Sequence, residues 1–162
     1  MREIRGSTTA PGHRVALIVS RFNEEVTEGL LGGAREALAE AGVSDDDVTV
    51  VRVPGAFEIP LAARRAASSG GFDTVVCLGC LIKGETMHFE YIASAATKGI
   101  ADAALASGVP MGFGLLTALT DEQALARSGP GSRNKGREAA LAALEMATLL
   151  RQLPADFHEV GP

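Results

Sequence analysis

The stretch richest in chemistry is Gly79-Cys80-Leu81-Ile82-Lys83-Gly84-Glu85-Thr86-Met87-His88. Gly84-Glu85-Thr86 sits where a helical pattern begins. Unpaired backbone N–H groups there, with the Thr86 hydroxyl, can cradle an anion. His88 follows within the first turn, and an imidazole exchanges protons near neutral pH. A plainer reading makes Thr86 an N-cap and His88 a surface residue, and local sequence leaves both open. The string fits neither the Walker pattern nor G-x-G-x-x-G, which disfavours a nucleoside triphosphate or NAD.

Three further places carry suitable side chains. Phe22 lies between polar Arg21 and Asn23, so its ring could stack on a planar ligand or pack as a staple on the end of a sheet. Glu58 follows Pro54-Gly55-Ala56-Phe57. It can accept hydrogen bonds from hydroxyl groups or simply complement a helix dipole, and Gly55 and Ala56 would let a flat ligand approach the backbone. Arg127 and Lys135 bracket the Gly-rich run Ser128–Asn134. Two such cations could hold a phosphate, although a solvated helix end is the simpler reading of an isolated pair. Cys77 and Cys80 form a C-x-x-C string, but no second pair completes a zinc site, and an odd separation along a strand sends the two side chains to opposite faces. Buried thiols are the expectation. His13 and His158 are read as surface residues.

These residues must be held by an α/β framework. Short apolar runs at Arg14–Ser20, Val48–Val53, Thr74–Leu78 and Met111–Thr117 lack alternation, as in parallel strands covered on both faces. Helical patterns fill the gaps: Asn23–Ala41 with Asn23 as N-cap and Gly42 as stop, Glu58–Ser68, Phe89–Ser107, a short one over Asp121–Ala126, and Lys135–Leu153. The last is Ala-rich and apolar round most of its circumference, which implies burial on more than one side. The alternation predicts a three-layer α/β/α sandwich on a four-stranded parallel sheet with right-handed crossovers. Ligands in such sheets bind beyond the carboxyl ends of the strands, which is where Phe22, Glu58 and His88 fall.

The chain has 162 residues and a net charge of −5, with 46% apolar and 22% charged residues. Those values predict one domain over residues 1–162, with an extended arm at 1–12, able to lend an edge strand to a neighbouring subunit, and a flexible tail at 154–162. The negative charge argues against nucleic acid or an anionic membrane as partner. No apolar run reaches the ~18 residues of a membrane helix, and no secretory signal is present, so a cytoplasmic protein is expected.

Five strings, taken in order, resemble the lumazine synthase family: Ser20-Arg21-Phe22-Asn23, Pro54-Gly55-Ala56-Phe57-Glu58-Ile59-Pro60, Gly84-Glu85-Thr86-Met87-His88-Phe89-Glu90-Tyr91, Gly112-Phe113-Gly114-Leu115-Leu116-Thr117 and Asn134-Lys135-Gly136-Arg137-Glu138-Ala139-Ala140. Each is weak alone; the ordered set runs from about Val15 to Leu150. The resemblance implies a flavodoxin-like fold and a condensation of 5-amino-6-ribitylaminouracil with 3,4-dihydroxy-2-butanone 4-phosphate, with no cofactor and no metal. It implies that Phe22 stacks on the pyrimidine, that Ala56, Phe57 and Glu58 hold its ring and ribityl chain, and that Cys80, Leu81 and Ile82 bind the ring edge through backbone groups. Glu85, Thr86, Arg127 and Lys135 would hold the phosphate, His88 would transfer protons, and Phe113 would close over the pyrimidine.

Phe113 lies near the start of its strand, far from the loops. The family resolves this by building each site between adjacent subunits of a homopentamer, with Phe113, Arg127 and Lys135 supplied by the neighbour. The short loop Pro130–Arg133 resembles that of members forming 60-subunit shells of twelve pentamers, and association with riboflavin synthase is also implied. The chain departs from the family pattern at Met87, where proline is frequent, at Arg133, where glycine is common, and at Cys80, where a small or aliphatic residue is usual. Rival readings are another flavodoxin-like protein that binds a flavin or nucleotide phosphate, and a non-catalytic pyrimidine-binding or shell-forming protein.

Overall fold

Strands that are apolar on both faces need covering on both faces, and this requirement organises the molecule. The computed structural model of the chain describes residues 1–154. Its elements are β1 (Val15–Ser20), α1 (Glu24–Glu40), β2 (Val48–Val53), α2 (Ile59–Ser68), β3 (Thr74–Ile82), α3 (His88–Ser107), β4 (Met111–Ala118), α4 (Asp121–Ser128) and α5 (Lys135–Leu150). The four strands form one parallel sheet in the order β2-β1-β3-β4. All six residues of β1 are buried. Val15, Leu17 and Val19 join one core with residues of α1, α4 and α5, while Ala16 and Ile18 join a second with residues of α2 and α3. The expected three-layer flavodoxin-like arrangement is therefore present. Burying each large aliphatic side chain in these cores contributes roughly 1.5–3 kcal/mol.

Several boundaries differ from expectation. The segment Gly79–Ile82, anticipated as loop, continues β3, because β4 runs to Ala118 and offers Leu115, Leu116, Thr117 and Ala118 as partners. Both cysteines thus lie in β3, on opposite faces: Cys77 packs in the α2/α3 core and Cys80 in the other. Glu58 ends a short 3-10 turn (Ala56–Glu58), so α2 starts at Ile59. Helix α3 begins one residue early, at His88, α4 runs on to Ser128, and α5 stops at Leu150.

Two side chains overturn their expected roles. Asn23 does occupy the N-cap position of α1, but without a side-chain cap: it adopts a left-handed conformation (φ 59°), and its backbone carbonyl accepts from Val26 and Thr27 instead. His13 is not on the surface but 3% exposed. Its turn is fastened to the end of α1 by Ala10 N donating to Ala41 O (2.9 Å), and both ring nitrogens lack a partner among the described residues. At the N-terminus, Ser7 N donates to Thr148 Oγ1 and that hydroxyl donates back to Ser7 O, each at 2.7 Å, so this part of the arm lies along α5. Beyond Pro154 the expected tail, including His158, lies outside the described residues. No helix among the described residues is long and apolar enough to cross a membrane.

Candidate active site

The strand order places the ends of β2, β1 and β3 side by side, so the residues that follow them face one another across the carboxyl edge of the sheet. Backbone bonds stitch two of these segments together: Arg21 N donates to Val53 O (2.9 Å) and Phe22 N to Pro54 O (3.3 Å). The Asn23 amide Nδ2 donates to Cys80 O (3.0 Å), fastening the other side to β3. The loop bearing Phe22 is thereby tied to both neighbouring strands. The Phe22 ring lies against Gly55, close enough that a Cβ at Gly55 would sit 3.3 Å from it, so glycine leaves the ring room.

The result is a cavity of about 540 Å³ lined by Phe22, Asn23, Gly55–Glu58, Cys80–Ile82, His88 and Ile92. That volume is in the range of small-molecule sites. Its lining is mostly apolar, with polar groups at a few points. Glu58 Oε2 accepts from Gly55 N (2.9 Å), which orients the carboxylate; Oε1 has no partner within the described chain. Phe22 and Phe57 are 71% and 58% exposed, more than a packing role requires. His88 is exposed at the first turn of α3, and Ile92, four residues on, shares its helix face. Below them Cys80 is buried, and burial, with the Asp121 charge adding to it, pushes its thiol up to about 11. Burial pushes Cys77 up to about 12. Neither thiol is a nucleophile at neutral pH.

The structure thus brings together Phe22, Ala56, Phe57, Glu58, Cys80, Leu81, Ile82 and His88 from three separate segments. Glu85 and Thr86 are exposed just outside, in the bend before α3, where Thr86 Oγ1 accepts from His88 N at 3.5 Å. An ion pair, Lys83 Nζ to Glu90 Oε1 at 2.7 Å, spans that bend. The remaining three do not line this cavity. Phe113 pairs with Cys77, five residues short of the end of β4, or roughly 16 Å along the strand. It is 49% exposed, in a separate depression with Ala93, Thr97 and Lys98 of α3. Arg127 is exposed on the last turn of α4, with Nη1 donating to Gln123 O (2.9 Å), and Lys135 at the start of α5 pairs with Glu138 (2.7 Å). No cluster of three or more His, Cys, Asp or Glu among the described residues is placed to hold a metal ion.

Sequence reasoning missed Asn23 and Ile92 as lining residues. The helical spacing of Ile92 from His88 was the available signal; the reach of Asn23 to β3 had none. It also passed over Asn134, which is buried between the two cations.

The likeness to known proteins agrees with this layout. The family model described as 6,7-dimethyl-8-ribityllumazine synthase matches residues 12–151. A protein of Salinibacter ruber (strain DSM 13855 / M31) named 6,7-dimethyl-8-ribityllumazine synthase is 53% identical over 150 residues, covering 93% of this chain and 96% of that one. With the sheet order, the loop strings and the match spanning nearly its whole length, the chain belongs to the 6,7-dimethyl-8-ribityllumazine synthase family.

Proposed function

We propose that this chain is the enzyme that condenses 5-amino-6-(D-ribitylamino)uracil with 3,4-dihydroxy-2-butanone 4-phosphate. The products are 6,7-dimethyl-8-ribityllumazine, phosphate and water, in the penultimate step of riboflavin biosynthesis. The observation that carries the reading is the single cavity in which Phe22, Glu58 and His88 converge from three loops. Phe22 offers a face for the pyrimidine, and the oriented carboxylate of Glu58 offers an acceptor to ribityl hydroxyls. In this reading the backbone of Cys80–Ile82, which lines the cavity, meets the ring edge. Glu85, Thr86 and the first N–H groups of α3 take the phosphate end of the sugar.

The chemistry asks little of the protein beyond placement. The primary amine attacks the ketone, one water leaves to give an imine, phosphate is eliminated from the four-carbon unit to leave a carbonyl beside it, and the ribityl-bearing nitrogen closes the ring onto that carbonyl with loss of a second water. Orienting two bound substrates contributes several kcal/mol. His88, at the mouth of α3, moves protons between amine, carbinol and leaving phosphate, a contribution of about 10²–10⁴-fold. The thiols take no part, since both stay protonated.

The positions of Phe113, Arg127 and Lys135 support a site shared between subunits. None lines its own chain's cavity; Arg127 donates to the Gln123 carbonyl and Lys135 pairs with the exposed Glu138, so both cations stay at the surface, where an adjacent copy can meet them. The proposed unit is a homopentamer, with twelve pentamers forming a shell. Mixing both substrates with the protein and following lumazine absorbance together with free phosphate tests the reaction. Pyrimidine binding without phosphate release would assign the chain instead to a non-catalytic role. Light scattering tests the assembly, and a fully active monomer would refute the shared site.

A further inference from the structure

One buried polar residue near the two cations has no part in the proposed reaction. Asn134 is 1% exposed, yet its side chain makes five hydrogen bonds. Its Oδ1 accepts from Gly136 N (2.9 Å) and Arg137 N (3.1 Å), capping the start of α5. Its Nδ2 donates to Ser128 O (2.8 Å) and Gly129 O (3.0 Å), two carbonyls left unpaired by the end of α4, and to Gly29 O (2.9 Å) of α1. Two hydrogens serve three carbonyls, so one of these bonds is shared. A single amide therefore caps the end of one helix and the start of the next, and fastens both to a third.

The residues flanking that clamp are the two phosphate candidates. Arg127 immediately precedes Ser128 on α4, and Lys135 immediately follows Asn134 on α5. Between them runs Gly129–Arg133, whose Gly131 has φ 104°, a loop with little packing of its own. Their spacing is therefore set by the clamp. The Gly29 bond also refers the pair to α1, whose N-terminus, about one and a half turns away, follows the Phe22 loop. Gly33 on α1 leaves the space: a Cβ there would collide with the Asn134 carboxamide.

We propose that Asn134 is a positioning residue that holds Arg127 and Lys135 at the spacing needed to bind the substrate's phosphate. This rests on the phosphate role given to those cations above. Asn134 touches no substrate; it acts through the two helix ends.

The test uses the assembled full-length enzyme and steady-state kinetics with each substrate varied in turn. Asn134→Ser keeps a hydroxyl that can cap α5 but removes most of the strap to α4 and α1. Gly33→Ala keeps the Asn134 side chain but pushes its carboxamide aside, and it supplies the same readout if Asn134→Ser does not fold. Expected for either is a rise in KM for the sugar phosphate of about 5- to 100-fold, with kcat changed less than about threefold and KM for the pyrimidine unchanged. In an Arg127→Ala background the same substitution should add clearly less than it does alone, because one of the two groups it positions is gone and no spacing between them remains to hold. A parallel fall in kcat for both substrates, or a full additive effect on top of Arg127→Ala, would overturn the proposal and leave Asn134 a structural cap. If Arg127→Ala itself leaves use of the sugar phosphate unaltered, the phosphate assignment fails first. If Arg127→Ala weakens it while both clamp variants do not, only the role of Asn134 fails.

Discussion

Replacing Phe22 with alanine separates its two possible roles, because they predict opposite measurements. The side chain is 71% exposed, so little of it contributes to the fold. A Phe side chain carries about 200 Å² of surface, and the covered fraction leaves roughly 60 Å² to lose, worth at most about 1.5 kcal/mol of stability. For a domain of this size that is a shift of only about 3–6 °C in Tm. Loss of aromatic stacking on a flat heterocycle costs about 1–3 kcal/mol of binding, by analogy with bases stacked on aromatic side chains. Phe22→Ala should therefore raise KM for the pyrimidine by roughly 5- to 150-fold, with the sugar phosphate saturating, while the protein stays folded. The assay is initial-rate phosphate release against pyrimidine concentration, paired with thermal melting. If KM for the pyrimidine is unchanged while Tm falls by 10 °C or more, the ring is a staple on the sheet end and the cavity does not hold the heterocycle as argued.

Other outcomes follow from the same geometry. His88→Ala should slow turnover by no more than about 10⁴-fold, because placement of the substrates does most of the work, and a loss beyond about a million-fold would show that His88 carries more than proton transfer. Burial acts to raise the Asp73 carboxyl, but the Arg14 backbone N–H (2.8 Å) and guanidinium, with Arg151, hold it below its ordinary value. A depressed carboxylate stabilises the fold above its unfolded pKa, and that contribution is lost as pH falls through the folded one. Asp73→Asn should then lower stability by about 1 kcal/mol at pH 7, with the gap closing as pH falls below the ordinary carboxylate range; a gap that persists unchanged into acid would discount the ion pairs. With the Cys80 thiol at about 11 and Cys77 at about 12, alkylation of the native protein at pH 8 should be more than about a hundredfold slower than after unfolding. Rapid labelling of the folded protein would show that β3 opens.

The parts legible in the sequence were those governed by local pattern. Both faces of β1 and β3 are covered, so their residues had to be apolar without alternation, and that run is visible without knowing what covers it. The parallel order then located the working residues at the carboxyl ends, and Phe22, Glu58 and His88 do meet there. What sequence could not supply were quantities set by partners distant along the chain. The length of β3 depended on how far β4 ran beside it. Asn23, which resembles a helix cap, spends its amide on a carbonyl 57 residues away, and Asn134 reaches one 105 residues away. His13 has the look of a surface residue, yet it is buried in a turn that is bonded to the end of α1. A polar side chain's identity says that it needs a partner, and apolar periodicity says which surface will be hidden. Which backbone groups remain unpaired near that side chain is decided only when the helices and strands have packed.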